Sequence, residues 1–227
     1  MNRGTIMNIG LVIPAYNEEK TIKGVINIAK KSNIFEEIVV VSDGSTDNTV
    51  EYALECDVKT IALPRNYGKG AAMEIGVNNI EGGIIVFLDG DLINLQVEHI
   101  KSLIEPVLKE GVDMSCGLFE NGRGHTDFAQ RLTPYLTGQR ALRRKVIKEC
   151  DDLSDVKFGA EMALTKVALE QDWKVKKVIL PELSHRIKED KMGLLKGFYA
   201  RTKMYWQVFR YFRRNKLSYS SVSSMMK

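Results

Sequence analysis

The chain has 227 residues, enough for one α/β domain or for a domain with a short appendage. Hydrophobic residues make up 44% of it, which suits a globular core and excludes an intrinsically disordered chain. The net charge of +4 hides an asymmetry, because residues 185–227 carry 11 Lys and Arg against two acidic residues. The same tail holds eight of the 18 aromatic residues, which indicates an anionic partner such as a membrane surface.

Cysteine usage and hydropathy give no sign of secretion or of membrane insertion. The three cysteines form neither a metal-binding nor a redox spacing (Cys56, Cys116 and Cys150). No apolar run is long enough to span a membrane, and no long apolar stretch follows Arg3 as a signal peptide requires. We therefore expect a cytoplasmic protein in a reducing compartment, and we predict no nucleic-acid partner.

The first half of the chain alternates between strand and helix patterns. Predicted strands cover residues 8–13, 37–41, 58–63, 84–88 and 112–118. Predicted helices cover residues 18–31, a segment that ends at about Cys56, and residues 69–79 and 97–109. Repeated β-α units of this kind predict an α/β fold with a Rossmann-like, mostly parallel sheet flanked by helices.

The second half is less regular, and it shows no clear domain linker. A glycine-rich polar loop is predicted at residues 120–127, and a strand at residues 175–180. Helices are predicted at residues 139–148, 160–171 and 193–215, of which the last is basic and aromatic. We expect one domain that ends in this C-terminal helix.

An apolar run that ends on two carboxylates is the most informative stretch. Residues 84–88 contain no polar side chain and are too few for a helix, which predicts a buried strand of a parallel sheet. Asp89 and Asp91 follow this strand and point the same way, while Gly90 leaves the backbone accessible. Two convergent carboxylates repel each other unless a cation lies beside them. The pattern predicts a site for a divalent metal and a diphosphate.

Polar residues follow three other predicted strands as well. A turn or a helix cap would use the same residue types, so each segment alone favours that structural interpretation. All four segments together, at one edge of a parallel sheet, favour a shared binding site. The three further segments are residues 14–18 (Pro-Ala-Tyr-Asn-Glu), 43–47 (Asp-Gly-Ser-Thr-Asp) and 66–70 (Asn-Tyr-Gly-Lys-Gly).

Together these segments resemble the family-2 glycosyltransferases with the GT-A fold. The resemblance covers roughly the first 120 residues and rests on residues 12–19, 40–47, 68–70 and 89–91. Residues 137–144, 158–161 and 185–186 are similar to segments of glucosyl-3-phosphoglycerate synthases and of polyprenyl-phosphate sugar transferases of the dolichol-phosphate mannose synthase type. The resemblance implies a single GT-A domain over residues 1–227, with a donor half at about 8–118 and an acceptor half at about 119–227.

The resemblance also implies an activity, namely the transfer of a hexose from a UDP- or GDP-sugar with Mg²⁺ or Mn²⁺ as cofactor. Lys69 would meet the diphosphate as a point charge. Asp89 would face the ribose or the metal, and Asp91 would ligate the metal and so act in catalysis. The implied donor contacts are Pro14, Ala15, Tyr16, Asn17, Glu18, Asp43, Gly68, Lys69, Asp89 and Gly90.

Two residues of the second half have an implied role in the reaction. A histidine at the matching position of glucosyl-3-phosphoglycerate synthases completes the metal site, which implies the same for His185. A surface histidine in a basic segment is the alternative. Glu161 follows a Phe-Gly turn and is the candidate general base, although a helix N-terminus favours glutamate for structural reasons alone. Inversion and retention of configuration both stay open.

The acceptor is less defined than the donor. Two acceptors stay open, a small phosphorylated acid such as 3-phosphoglycerate and a polyprenyl phosphate at the membrane. A sugar-phosphate nucleotidyltransferase is the alternative from another enzyme class, but it would usually show a glycine-rich loop where this chain has residues 14–18. Most arginines in such a run are solvated, so about two of the five basic residues that could bind phosphate on the donor or the acceptor are expected to do so (Arg140, Arg143, Arg144, Arg186 and Lys191). The implied acceptor contacts are Thr137, Gly138, Arg140, Arg186 and Lys191.

The basic aromatic helix predicted at residues 193–215 has two interpretations. It would pack on the core, or on a second subunit in a homodimer, with its arginines facing water. Alternatively it would lie at a membrane surface as a peripheral contact and bring the active site to anionic lipid. Both interpretations stay open.

Overall fold

A computed structural model describes residues 8–120, 137–150 and 160–185 of the chain. The strands are β1 (Ile9–Ala15), β2 (Glu37–Ser42), β3 (Lys59–Ala62), β4 (Ile84–Phe87), β5 (Leu92–Ile93), β6 (Met114–Phe119), β7 (Arg140–Arg143), β8 (Val175–Leu180) and β9 (Ser184–His185). The helices are α1 (Ile22–Ser32), α2 (Thr49–Leu54), α3 (Lys69–Asn78), α4 (Val97–Lys109), α5 (Arg144–Lys148) and α6 (Ala160–Glu170). The alternation predicted for the first half is confirmed.

Seven of these strands form one sheet, in the order β3-β2-β1-β4-β7-β6-β8. Strands β1 to β4 are parallel to one another, and β6 is parallel to β8, so the predicted mostly parallel sheet is confirmed. The register pairs Ala15 of β1 with Ser42 of β2, and Ser42 with Ala62 of β3. These three strands therefore end side by side, and the loops that follow them share one edge of the sheet.

Two apolar layers cover the sheet, one on each face. Alternate residues of β1 point to opposite layers, because side chains in a strand alternate between its two faces. Val12 belongs to the layer that includes α3 and α6, whereas Leu11 and Ile13 belong to the layer that includes α1 and α4. All three side chains are fully buried. Burial on both faces explains why β1 and β4 read as uninterrupted apolar runs.

The helix predicted at residues 139–148 is wrong in its first half. Residues 140–143 form β7 instead, which lies antiparallel between β4 and β6. Ala141 pairs with Val86 on one side and with Ser115 on the other. Without β7 the facing edges of β4 and β6 would bury unpaired backbone groups, so tertiary pairing outweighs the local pattern. Only α5, at Arg144–Lys148, keeps the predicted helical form.

Two adjacent arginines at the end of β7 hold the C-termini of helices on opposite faces of the sheet. Arg143 donates to the carbonyl oxygens of Val107 and Val112, at 3.1 and 3.3 Å, around the end of α4. Arg144 donates to three carbonyl oxygens around the end of α3, those of Val77, Ile80 and Gly82. Cations are stabilising where helix carbonyls lack partners, which gives both side chains a structural role.

Replacing Arg144 with methionine should lower the free energy of unfolding by about 2–4 kcal/mol, because three part-buried carbonyl groups lose a charged donor. Urea unfolding followed by circular dichroism measures the change. Lys148→Met is the matched control, since it removes a positive charge from an exposed position of the same short helix. It should change the unfolding free energy by no more than about 0.5 kcal/mol. Equal effects of the two substitutions would contradict the capping role.

Among the helices that the structure describes, none combines the length and apolar character needed to cross a membrane. The predicted loop beyond Glu120 and the predicted helix at residues 193–215 lie outside the described residues.

Candidate functional site

The loops after β1 and β2 bind each other at the carboxyl edge of the sheet. The backbone N–H of Asn17 donates to the Ser45 hydroxyl at 3.1 Å, and the N–H of Thr46 donates to the Asn17 side-chain oxygen at 2.8 Å. The N–H of Glu18 donates to the Thr49 hydroxyl at 2.8 Å. These exchanged hydrogen bonds fix residues 14–18 beside residues 43–49, where Tyr16 remains 47% exposed.

Asp43 connects these loops to the loop after β3. Its carboxylate accepts the backbone N–H groups of Tyr67 at 2.7 Å and of Gly68 at 2.9 Å, and the residue is buried. Gly44 follows with φ of 70°, and a Cβ there would overlap the backbone of Arg65. Glycine is thus required for the close approach of the two loops. Asp43 holds the turn that begins α3 and thereby places Lys69 at the edge.

Lys69 bridges the two halves of the site. Its ammonium lies 2.5 Å from Asp89 Oδ1, just after β4, and 2.6 Å from Glu161 Oε1, at the start of α6. The Lys69 side chain is 37% exposed, whereas those of Asp89 and Glu161 are 19% and 12% exposed. An ammonium group has three hydrogens, of which these carboxylates engage two.

The ion pairs shift the pKa values of two of these groups. Burial alone would lower the pKa of Lys69. The carboxylates of Asp89 and Glu161 outweigh the effect of burial and raise this pKa. Burial alone would raise the pKa of the Asp89 carboxyl. The Lys69 ammonium, aided by His185 and by a hydrogen bond from Gln139, outweighs burial and lowers that pKa instead. Both groups are therefore charged at neutral pH.

Replacing Lys69 with methionine should cost about 1–2 kcal/mol of unfolding free energy at neutral pH, because two carboxylates lose their partner and water screens part of the loss. The pKa of Asp89 is lower in the folded than in the unfolded chain, so its stabilising contribution is full above about pH 4 and is lost as the pH falls further. The stability difference between parent and variant should therefore shrink toward about pH 3. Urea unfolding across this range measures it, and a constant difference would contradict the pairing.

Asp89, Asp91 and His185 lie together and offer ligand atoms to one cation. One ligand atom from each lies within 4.8 Å of the others. Carboxylate oxygens and an imidazole nitrogen suit a divalent ion such as Mn²⁺ or Mg²⁺, and they leave coordination positions for a diphosphate. A Cβ at Gly90 would lie 3.2 Å from the Ala15 side chain and 3.5 Å from that of Glu18, so the metal-side turn lies close to the first loop of the site.

A short second sheet brings His185 to this cluster, although His185 lies 94 residues after Asp91 in the chain. Strands β5 and β9 pair antiparallel, with Leu92 opposite His185, directly after Asp91. The His185 ring also meets the Phe119 ring edge-on, with centroids 4.4 Å apart and planes at 80°. No sequence pattern predicts this two-residue ladder, because it is far too short to show a period.

Residues 137–139 lie against Asp89 in the interior. The Thr137 hydroxyl donates to the carbonyl oxygen of Gly117, and Gln139 donates to Asp89 Oδ2 at 3.0 Å. A Cβ at Gly138 would come within 3.0 Å of both Asp89 oxygens and of the Lys69 ammonium. The structure thus places Thr137 and Gly138, predicted as acceptor contacts, beneath the metal-side carboxylate. Gln139 was not among the predicted site residues, and its position next to Gly138 was its only sequence signal.

The predicted acceptor contact of Arg140 does not fit its position. This side chain has no exposed surface, and it donates to the Thr137 carbonyl oxygen at 3.1 Å and to the Thr165 hydroxyl at 3.2 Å. Full burial keeps the guanidinium away from a ligand at the sheet edge and gives it a structural role. The other two predicted acceptor contacts, Arg186 and Lys191, lie outside the described residues.

Comparison with known families gives one match that covers most of the chain. The model of glycosyl transferase family 2 matches residues 11–172. This range contains the four loops at the sheet edge, Glu161 and residues 137–139, but not His185.

Solved structures of one enzyme resemble the fold over most of their length. Glucosyl-3-phosphoglycerate synthase from Mycobacterium tuberculosis, in complex with Mn²⁺, uridine diphosphate and phosphoglyceric acid, gives a TM-score of 0.69 at 26% identity. The match covers 83% of this chain and 74% of that one. Its complex with Mn²⁺, UDP-glucose and glycerol 3-phosphate gives a TM-score of 0.67 at 25% identity, over 83% and 76% of the two chains.

Relatives by sequence have a different acceptor in their name. An undecaprenyl-phosphate 4-deoxy-4-formamido-L-arabinose transferase from Yersinia pestis (strain Pestoides F) is 34% identical over 119 residues, which are 48% of this chain and 36% of that protein. The protein of the same name from Edwardsiella ictaluri (strain 93-146) is 33% identical over 144 residues, 59% of this chain and 43% of that protein. The matched part thus spans less than half the length of these relatives.

Proposed function

The chain belongs to glycosyl transferase family 2, and from this premise we propose that it transfers a sugar from a nucleotide-sugar to an acceptor with the help of a divalent cation. The observation that carries the proposal is the cluster of Asp89, Asp91 and His185, whose ligand atoms lie within 4.8 Å of one another. It lies at the edge of the sheet where the loops after β1, β2 and β3 also meet. Open α/β sheets bind their ligands at this edge.

The donor would occupy the three interlocked loops. Residues 14–18 and Asp43 would hold the nucleoside, with Tyr16 exposed beside them for contact with the base. Lys69 would direct its third ammonium hydrogen at the diphosphate, while its other two remain with Asp89 and Glu161. Asp91 and His185, with Asp89, would hold the cation. When bound, a divalent cation stabilises the negative charge that develops on the departing nucleoside diphosphate.

Glu161 is the residue we assign to the acceptor side. Its side chain is 12% exposed and its carboxylate lies 2.6 Å from the Lys69 ammonium, so it is close to where the diphosphate would bind. In an inverting reaction it would accept the proton of the acceptor hydroxyl. In a retaining reaction it would instead hold the acceptor hydroxyl by a hydrogen bond. Its ion pair with Lys69 positions it for either role.

For the acceptor, we propose a small phosphorylated acid such as 3-phosphoglycerate. Support comes from the structural likeness to glucosyl-3-phosphoglycerate synthase, which extends over 83% of this chain. A polyprenyl phosphate is the second candidate, and the 34% identity to an undecaprenyl-phosphate sugar transferase favours it. The family match argues against the nucleotidyltransferase alternative.

The experiment is product analysis with the purified chain. UDP-glucose and a GDP-sugar are each incubated with Mn²⁺ and either 3-phosphoglycerate or undecaprenyl phosphate, and products are identified by mass spectrometry. We expect a glycosylated phosphoglycerate. Product on undecaprenyl phosphate alone would assign the second acceptor. Nucleotide-sugar that stays intact with both acceptors would contradict the assignment of either.

A further inference from the structure

A buried glutamine stands behind the metal-side carboxylate. Gln139 has no exposed surface, lies directly before β7, and donates from its side-chain amide to Asp89 Oδ2 at 3.0 Å. Buried glutamine is uncommon, because its amide must find hydrogen-bond partners away from water. This one lies at the point where β7 brings the second half of the chain against the end of β4.

The orientation of the Gln139 amide follows from its partners. An ionised carboxylate only accepts hydrogen bonds, so the amide nitrogen must face Asp89. The amide oxygen then lies 2.9 Å from the Thr137 hydroxyl, which shares its one hydrogen between this oxygen and the carbonyl oxygen of Gly117. The backbone anchors the residue as well, because the Gln139 carbonyl oxygen accepts the N–H of Gly117 at 2.8 Å. Gln139 is therefore held at its backbone by the sheet and at its side chain by the Asp89 carboxylate.

Asp89 is consequently held on both oxygens. The Lys69 ammonium lies 2.5 Å from Oδ1, and the Gln139 amide nitrogen donates to Oδ2 at 3.0 Å. A carboxylate has about four lone-pair sites, so each oxygen keeps one for a cation. Two donors on different oxygens prevent rotation of the carboxylate about its terminal bond, whereas Lys69 alone would allow it to swing on a flexible stem.

We propose that Gln139 is a positioning residue, which fixes the Asp89 carboxylate in the orientation that the cation requires. The inference rests on the proposed function, since it takes Asp89, Asp91 and His185 as the metal site. It assigns residues 137–139 to the metal side of the reaction in place of the acceptor side. Partners of metal ligands typically affect metal affinity about 10–100-fold when they are removed.

The test is the affinity for Mn²⁺ in the presence of uridine diphosphate, measured from the paramagnetic resonance signal of free Mn²⁺. Gln139→Met keeps the side-chain length but has no N–H donor, and it should weaken Mn²⁺ binding about tenfold or more. The affinity for uridine diphosphate without metal should change less than about twofold, because the nucleoside loops are untouched. A merely structural defect would weaken both affinities together.

Two further variants make the result decisive. Thr137→Val removes the hydroxyl that faces the Gln139 amide. It should also weaken Mn²⁺ binding, but by a smaller factor than Gln139→Met. Ser115→Ala is the matched control, since it removes a fully buried side-chain hydrogen bond, to Leu103, from neighbouring β6. It should leave Mn²⁺ affinity unchanged.

The outcomes separate this inference from the proposed function. Unchanged Mn²⁺ affinity in both Gln139→Met and Thr137→Val, or a parallel loss of metal-free nucleotide affinity, would overturn the positioning role and leave the proposed function standing. Failure of the unchanged chain to bind Mn²⁺ with any nucleoside diphosphate would overturn the proposed metal site, and the positioning role with it.

Discussion

Replacing Asp91 with alanine should reduce the rate of sugar transfer about a thousandfold, because a metal ion supplies several kcal/mol of charge stabilisation to a departing diphosphate. Asp91 follows β4 in a cluster with Asp89 and His185, and its carboxylate is one of three ligand groups within 4.8 Å. The Asp89 carboxylate also pairs with Lys69 and accepts a hydrogen bond from Gln139, so it keeps a structural role when the metal is lost. Asp91 is the residue proposed to act as a metal ligand and in catalysis, so its substitution tests metal dependence directly.

The measurement is kcat/KM at saturating Mn²⁺, with the unfolding midpoint recorded for each variant. Glu105→Gln serves as the control, because it removes a carboxylate from an exposed pair with Lys109 on α4. It should retain the activity of the parent. A variant at position 91 that keeps more than about a tenth of the activity would place the metal elsewhere.

Replacing Gly138 with alanine should reduce activity about a hundredfold, the cost typical of a reactive group displaced by about 1 Å. The added methyl group would come within 3.0 Å of both Asp89 oxygens and of the Lys69 ammonium, so the ion pair must open or the strand must shift. Overpacking of this kind should also cost about 1–3 kcal/mol of unfolding free energy. Activity assays and urea unfolding measure the two effects.

Gly24→Ala is the matched control for this substitution. Gly24 lies in α1, and apart from its own helix backbone and chain neighbours no heavy atom lies within 4 Å of the position its Cβ would take. Alanine is the better helix former, so the unfolding free energy of the control should rise by about 0.5–1 kcal/mol. The control should keep full activity. Full activity of Gly138→Ala would contradict the close packing of residues 137–139 against Asp89.

The donor side of the fold was predictable because its signals are local. Each strand from β1 to β4 is an apolar run that ends on a polar turn, and parallel strands place their ends at one edge of the sheet. Asp89 and Asp91 could therefore be expected beside residues 14–18 and Lys69 from the sequence alone. The structure adds what the pattern could not contain, namely that Lys69 also reaches Glu161, which lies 92 residues away along the chain.

The second half was harder because its structure depends on partners distant in sequence. Arg140–Arg143 resembles a helix by local pattern, and it becomes β7 only because β4 and β6 leave a gap for one strand. The arginines of this segment were candidates for phosphate binding. Arg143 and Arg144 instead hold helix ends, and Arg140 is fully buried. Whether a cation meets solvent or a carbonyl group depends on packing, which a charge pattern does not record.

Metal-dependent nucleotide binding tests the central claim most directly. The purified chain is heated with each common nucleoside diphosphate, with and without Mn²⁺, and the unfolding midpoint is recorded. At a ligand concentration about one hundred times Kd, one nucleotide should raise the midpoint by about 5 °C or more. The increase should be much smaller without Mn²⁺ and in Asp91→Ala. No shift with any nucleotide, or an equal shift without metal, would contradict the account.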